Sequence, residues 1–435
     1  MPTDTQVRRF ELDGDSFVRP DFAGRGLANV APSVMQLLAP KVTDQLDLPP
    51  LDSSVLPPSM TSDVKTVVLV VADGLGHLQL CRETAAGNAP NLAGLVQRAE
   101  QGDPCVSYTP ITSVFPTTTV AALGSINSGV APTGHGLLGY TVYLPEFDMV
   151  AEMIRWGPLN RRISFTDPEF GQAPEAFFWS ETMYARLQAA GVERTFAINP
   201  IGFSGTALTR MLHQHANYAG YIATSSLAPI ASRIIHASND VTYVYAYWPT
   251  VDTISHIIGP LTAEHASEVA GFDLQFGRLL ESLRDRDDTL VLLTADHGHI
   301  DTKPEETVNL GDHPELLGML RTTPAGERRA VYLHAKPGAT LEVAAYARER
   351  LRKVASAMLR DDAVELGLFG PGALSDRAAG RIGDVLLFPR DGLQLAAPIE
   401  YVESPPPKPP NFRGVHGGLT PDEALVPLLA VRMGS

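Results

Sequence analysis

A chain of 435 residues is long enough for one large α/β body or about three small domains, and 44% hydrophobic with 19% charged residues excludes disorder over most of it. Its 34 basic and 49 acidic residues leave a net charge of −15, which argues against a protein that coats nucleic acid or anionic membrane, because those surfaces are held by surplus Lys and Arg. Two cysteines, Cys81 and Cys105, exclude a disulfide framework and a zinc site of four thiolates.

The first residues, MPTDTQVRRFELDGDS, carry charges where a signal peptide needs an apolar core, and the apolar stretch Val67 to Ala72 is far too short to span a bilayer. The expectation is a soluble, cytoplasmic protein with no membrane partner. Residues 1–20 are polar and expected to be extended, and Pro49 to Ser62 is a Pro- and Ser-rich loop, so 1–62 form a lead-in to a main domain over 63–430.

The first strong strand is KTVVLVVADG, Lys65 to Gly74; its unbroken β-branched run predicts burial on both faces, as in a parallel sheet covered by helices. Similar runs follow at Thr195–Asn199, Thr242–Tyr247 and Thr289–Ala295, with helical spacing over Glu181–Ala190 and Ala266–Arg284. The pattern predicts an α/β fold with a mostly parallel central sheet flanked by helices on both faces. Region 141–240 is expected to shape a substrate pocket; its aromatics, from Trp156 to Tyr184, are expected mainly in the core. Residues 320–405, with RRAVYLHA, a helix over Leu341–Leu359 and GDVLLFPR, predict a small inserted α/β subdomain, and PPPKPP at Pro405–Pro410 a stiff connector.

Ligands of such sheets bind beyond the carboxyl ends of the strands. Asp73 and Asp296 end two of the strands and Asp252 follows a third. Asp252 and His256 stand four apart, His297 follows Asp296 in TADHGH, and His416 lies in the glycine-flanked RGVHGG. Carboxylates and imidazoles without a thiolate suit Zn²⁺, Mn²⁺ or Fe, with zinc favoured by a His-rich set. Taken singly each motif has an ordinary structural reading, and His77, His299 and His313 are expected to be supporting or structural. The stretch Thr109 to Tyr140 crowds hydroxyls around Pro116, with Thr117, Thr118 and Thr119 in the first turn of a helix. A hydroxyl there feels the helix dipole and the free amides that also hold phosphate, and a metal would supply the activation that a hydroxyl needs to attack.

In chain order these elements resemble the alkaline phosphatase superfamily, and within it the type I phosphodiesterase/nucleotide pyrophosphatase family: strand-Asp-Gly at Asp73, FPTTT…SG…HG over Phe115–Gly136, Asp252 to Pro260, Asp-His-Gly at Asp296, and His-Gly-Gly at His416. The resemblance spans about residues 65 to 420 and implies an alkaline-phosphatase-like fold. It places the nucleophile ten residues before Gly129, at Thr119, with Thr117 and Thr118 as close competitors. It implies two divalent ions, Zn²⁺ first and Mn²⁺ as the alternative. Asp73, Thr119, Asp296 and His297 would hold one, and Asp252, His256 and His416 the other. The implied reaction is cleavage of a small phosphodiester or pyrophosphate through a phosphothreonine. The family's asparagine five residues after the HG histidine is replaced by Tyr140, expected to touch the substrate with its phenol. A phosphomonoesterase or Mn²⁺ phosphomutase of the same superfamily, and a non-catalytic binding protein of the same fold, are the alternatives.

Overall fold

The computed structural model describes residues 7–41, 46–402 and 411–434, so the Pro405–Pro410 connector lies outside the described residues. A seven-stranded sheet runs, in spatial order, Val106–Thr112, Leu425–Arg432, Thr289–Thr294, Thr66–Ala72, Thr242–Trp248, Arg194–Pro200 and Asn217–Tyr221. The last five strands pair in parallel; Leu425–Arg432 is antiparallel to both its neighbours. Every residue of Thr66–Ala72, Thr242–Trp248 and Thr289–Thr294 is buried, as continuous Val, Leu and Tyr runs require when helices cover both faces. Pro90–Glu100, Leu227–His236 and Ala263–Ser282 form one helical group, and Val30–Leu38, Thr119–Ser128 and Met183–Ala189 a second.

A second, antiparallel sheet has the order Ala355–Leu359, Val385–Pro389, Ala330–Leu333, Ala325–Glu327, Thr141–Leu144, Met149–Glu152 and Gly157–Pro158. It therefore draws on both 141–158 and 325–389, joined where Gly326 pairs with Thr141. The rest of 141–240 supplies two strands of the central sheet. Trp156, Phe165 and Phe177 are buried and pack edge to face, the core role expected of aromatics there.

Two local expectations change. Residues 9–18 are a hairpin, Arg9–Leu12 against Asp15–Val18, because Asp13-Gly14 takes positive φ at both positions (52° and 89°), the two-residue turn that matches strand twist. The helix expected over Leu341–Leu359 spans Thr340–Arg350 instead; Ala355–Leu359 becomes a strand that pairs along its length with Val385–Pro389.

Candidate active site

Asp73 stands just past the central strand Thr66–Ala72 and Asp296 just past Thr289–Thr294, while Asp252 lies in the first turn of helix Thr250–Ile257, after Thr242–Trp248. Adjacent parallel strands thus aim three carboxylates at one sheet edge. Gly74 makes the close approach possible: at φ +73° its absent Cβ would lie 2.5 Å from the His299 ring and 3.0 Å from the Asp252 backbone. Its N–H donates to Asp296 Oδ1 at 3.1 Å, and that oxygen also accepts from the His297 N–H.

The histidines arrive with a common orientation. Nδ1 of His256 faces the Gly414 carbonyl at 2.7 Å, that of His416 the Thr117 carbonyl at 2.8 Å, that of His297 the Gly298 carbonyl at 3.2 Å, and that of His299 the Gly74 carbonyl at 3.3 Å. A carbonyl can only accept, so Nδ1 carries a proton and each ring turns Nε2 into the site, a ligand atom whenever it bears no proton of its own. His256 Nε2 lies 3.2 Å from His416 Nε2, a juxtaposition of two lone pairs that a cation would relieve. Asp252 Oδ1 is 3.2 Å from His256 Nε2, 3.1 Å from His299 Nε2 and 3.8 Å from His416 Nε2. His297 Nε2 is 3.5 Å from Asp73 Oδ1, 3.4 Å from Asp296 Oδ2 and 3.2 Å from Thr119 Oγ1.

Two groups can each hold a metal ion: Asp252, His256, His299 and His416, and Asp73, Asp252 and His297, with the donor atoms of each group within 4.8 Å of one another. Asp73 Oδ1, Asp252 Oδ1 and Asp296 Oδ2 are buried atoms that receive no hydrogen bond among the described residues. Burial without a partner is costly for such groups. Oxygen and imidazole donors with lone pairs converging on one space fit divalent cations, and the set contains no thiolate to favour softer ions.

The protonation equilibria agree. Burial pushes the Asp73 carboxyl well above the usual range, and the neighbouring charges of Asp252 and Asp296 push it further. Burial also opposes ionisation of Asp252, but the imidazoles of His256 and His299 outweigh it and hold that carboxyl well below the usual range. Burial lowers His256, and Asp252 overrides it to give a net rise. Burial holds His299 at about 4, and it keeps His416 well below normal with help from the other three rings.

The three threonines separate cleanly. Thr117 Oγ1 donates to the Gly418 carbonyl at 2.7 Å and accepts from the Gly417 N–H at 3.0 Å, tying the segment before the helix to the loop of His416. Thr118 is the residue ahead of helix Thr119–Ser128, and its hydroxyl lies toward Glu327, whose carboxyl it helps to hold down. Thr119 is the first helical residue, and its hydroxyl is the one that meets His297.

The family model for type I phosphodiesterase / nucleotide pyrophosphatase matches residues 67–419. The chain belongs to this family. As a type I phosphodiesterase/nucleotide pyrophosphatase it is a phosphoric ester hydrolase, in a family that generally depends on divalent metals. Among proteins of curated function, none matches the sequence. The fold is shared with solved structures. Murine ectonucleotide pyrophosphatase/phosphodiesterase 5 is 14% identical with a TM-score of 0.59, covering 85% of this chain and 88% of its own. The human form of that protein is 15% identical with a TM-score of 0.57, covering 85% and 90%. Phosphonoacetate hydrolase from Sinorhizobium meliloti 1021 is 16% identical with a TM-score of 0.60, covering 98% and 94%.

All seven side chains expected around the ions, Asp73, Thr119, Asp252, His256, Asp296, His297 and His416, lie in this phosphodiesterase-family cluster. Tyr140 stands at its rim: its N–H donates to Glu327 Oε1 at 2.6 Å, while burial and the charge of Glu152 push its phenol up. Two residues escaped the sequence. His299, expected to be supporting or structural, presents Nε2 to Asp252, and the second histidine of TADHGH was its only signal. Glu327 comes from the antiparallel sheet, and no spacing in the sequence connects it to the other motifs. Among the described residues no helix is long and apolar enough to cross a membrane.

Proposed function

We propose that the chain hydrolyses small phosphodiesters or pyrophosphates through a covalent phosphothreonine on Thr119, with two divalent ions, zinc first, held by the Asp and His cluster. The observation that carries this reading is the place of the Thr119 hydroxyl, at the first helical position and 3.2 Å from His297 Nε2. When bound, the ions would lower the pKa of the hydroxyl and neutralise charge gathering on the phosphoryl oxygens. Asp73, Asp296 and His297 would hold one ion beside Thr119, and Asp252, His256 and His416 would hold the other. The free amides of the first turn of Thr119–Ser128 orient the phosphoryl oxygens. Thr119 Oγ1 forms a bond to phosphorus as the ester oxygen departs with a proton, and water then breaks the Oγ1–phosphorus bond and frees the threonine. Backbone carbonyls fix all four rings, so the donors need little reorganisation as the reaction proceeds.

Turnover of bis-p-nitrophenyl phosphate, followed by acid quench and peptide mass spectrometry, tests the reading. A phosphoryl adduct on Thr119 is expected; an adduct elsewhere, or faster turnover of p-nitrophenyl phosphate, would contradict it. A cytoplasmic location belongs to the same reading, in keeping with two cysteines and no disulfide framework, and cell fractionation checks it.

Metal uptake should depend on pH with a definite sign. Asp73 and His256 keep their protons to higher pH than ordinary groups of their kind, and both must lose them to bind a cation. Acid restores those protons, so apparent affinity should fall as the pH falls and rise as it rises. Titration calorimetry in buffers of differing ionisation enthalpy is expected to show more protons released per zinc at about pH 6 than at about pH 8. Zinc binding with no proton release at either pH would contradict the ligand assignment.

A further inference from the structure

Glu327 is a carboxylate at the edge of the cluster that the mechanism above leaves without a task. It ends the short strand Ala325–Glu327 of the antiparallel sheet, which carries it across to the start of the nucleophile helix. Its Oε1 accepts the Tyr140 N–H at 2.6 Å, and the nearby Thr118 hydroxyl tempers the rise that burial imposes on the same carboxyl. On its other side it lies against the loop of His416. Gly417, at φ +119°, comes so close that a Cβ there would be 2.4 Å from Glu327 Cβ, which only glycine avoids.

Two features separate Glu327 from a structural carboxylate. It is half-buried, retaining exposed surface although the chain packs around it. Among the described residues no Lys or Arg forms an ion pair with it, whereas the buried Glu423 is paired with Arg329 at 3.3 Å. The next residue, Arg328, turns to Gln394 and lies over the Phe412 ring. The charge of Glu327 is thus held in place by the Tyr140 N–H and has no Lys or Arg partner among the described residues, beside Thr118, the neighbour of the proposed nucleophile.

We propose that Glu327 sets the charge of the substrate, favouring phosphodiesters, with one negative charge, over phosphomonoesters, with two. The proposal rests on Thr119 being the nucleophile, since that is what puts the phosphoryl group beside Thr118. A monoester brings an additional anionic oxygen to this space, where the like charge of the carboxylate repels it. A diester has one charge fewer and can turn an ester group toward Glu327, and an alcohol rich in hydroxyls can donate hydrogen bonds to it. Discrimination here comes from a repulsive element against the wrong substrate.

The test compares kcat/KM for bis-p-nitrophenyl phosphate and p-nitrophenyl phosphate in the zinc-loaded wild type and in Glu327→Gln. Burial pushes the Glu327 carboxyl up to about 7, so the assays are run at about pH 8.5, where it is ionised and a monoester is a dianion. The diester-to-monoester ratio is expected to fall about tenfold or more in Glu327→Gln, chiefly through a rise in the monoester value. Glu327→Met, a second neutral replacement of similar length, is expected to move the ratio the same way and guards against a variant that does not fold. Glu327→Asp, which keeps the charge, is expected to stay near the wild-type ratio. An unchanged ratio in the folded neutral variants, or a proportional fall in both rates, would overturn the role of Glu327 while leaving the diesterase reading intact. A wild type that hydrolyses neither ester would instead remove the reading on which the proposal rests.

Discussion

Replacing Thr119 by alanine is expected to lower kcat for bis-p-nitrophenyl phosphate by about 10³-fold or more, with zinc content and melting temperature close to wild type. The hydroxyl is small and half-buried, so its removal leaves the packing of helix Thr119–Ser128 nearly untouched. The carboxylates and rings that face it still converge on the same space. The loss should therefore fall on the chemical step. Thr117→Ala serves as the contrast, because that hydroxyl ties two backbone segments together through Gly417 and Gly418. It is expected to cost stability, on the order of 1–3 kcal/mol for a buried acceptor and donor left unpaired, with a smaller effect on kcat. If Thr119→Ala keeps wild-type turnover, the nucleophile is not Thr119.

The second large effect is expected from Asp252→Asn. Asp252 Oδ1 faces three imidazoles, and the residue belongs to both groups that can hold an ion. An amide keeps the shape and removes the charge, so neutral donors would have to hold a dication without their central carboxylate. Zinc affinity is expected to fall by more than about 100-fold, with activity falling at least as far. Competition against a chromophoric chelator measures the affinity without any assay of turnover. Affinity within a few-fold of wild type would show that Asp252 is not a ligand.

Much of this arrangement was legible because it is written in local patterns. The buried strands announce themselves as continuous apolar runs, and the acidic residues that follow them sit where parallel sheets gather ligands. The edge-side pair Val106–Thr112 and Leu425–Arg432 was harder to see, since each strand contains a proline. The structure sets Pro110 opposite Pro427, so the two positions without an N–H face each other in the ladder. The Asp13-Gly14 turn was legible in principle, as Asp-Gly is a strong hairpin signal, but its flanking strands are short and polar. Glu327 was beyond reach for a different reason. It joins the cluster only because Gly326 pairs with Thr141, bringing a second sheet to the rim of the first, and such long-range pairing leaves no periodic mark in the sequence.

What unites the site is convergence: oxygens without donors and ring nitrogens bearing lone pairs, gathered about one threonine hydroxyl. Anomalous diffraction at the zinc edge from zinc-soaked crystals tests that most directly. Two peaks are predicted per chain, one contacted by Asp73, Thr119, Asp296 and His297 and the other by Asp252, His256 and His416. A peak pattern that leaves Thr119 Oγ1 without a neighbouring ion, or that places zinc away from these side chains, would contradict it.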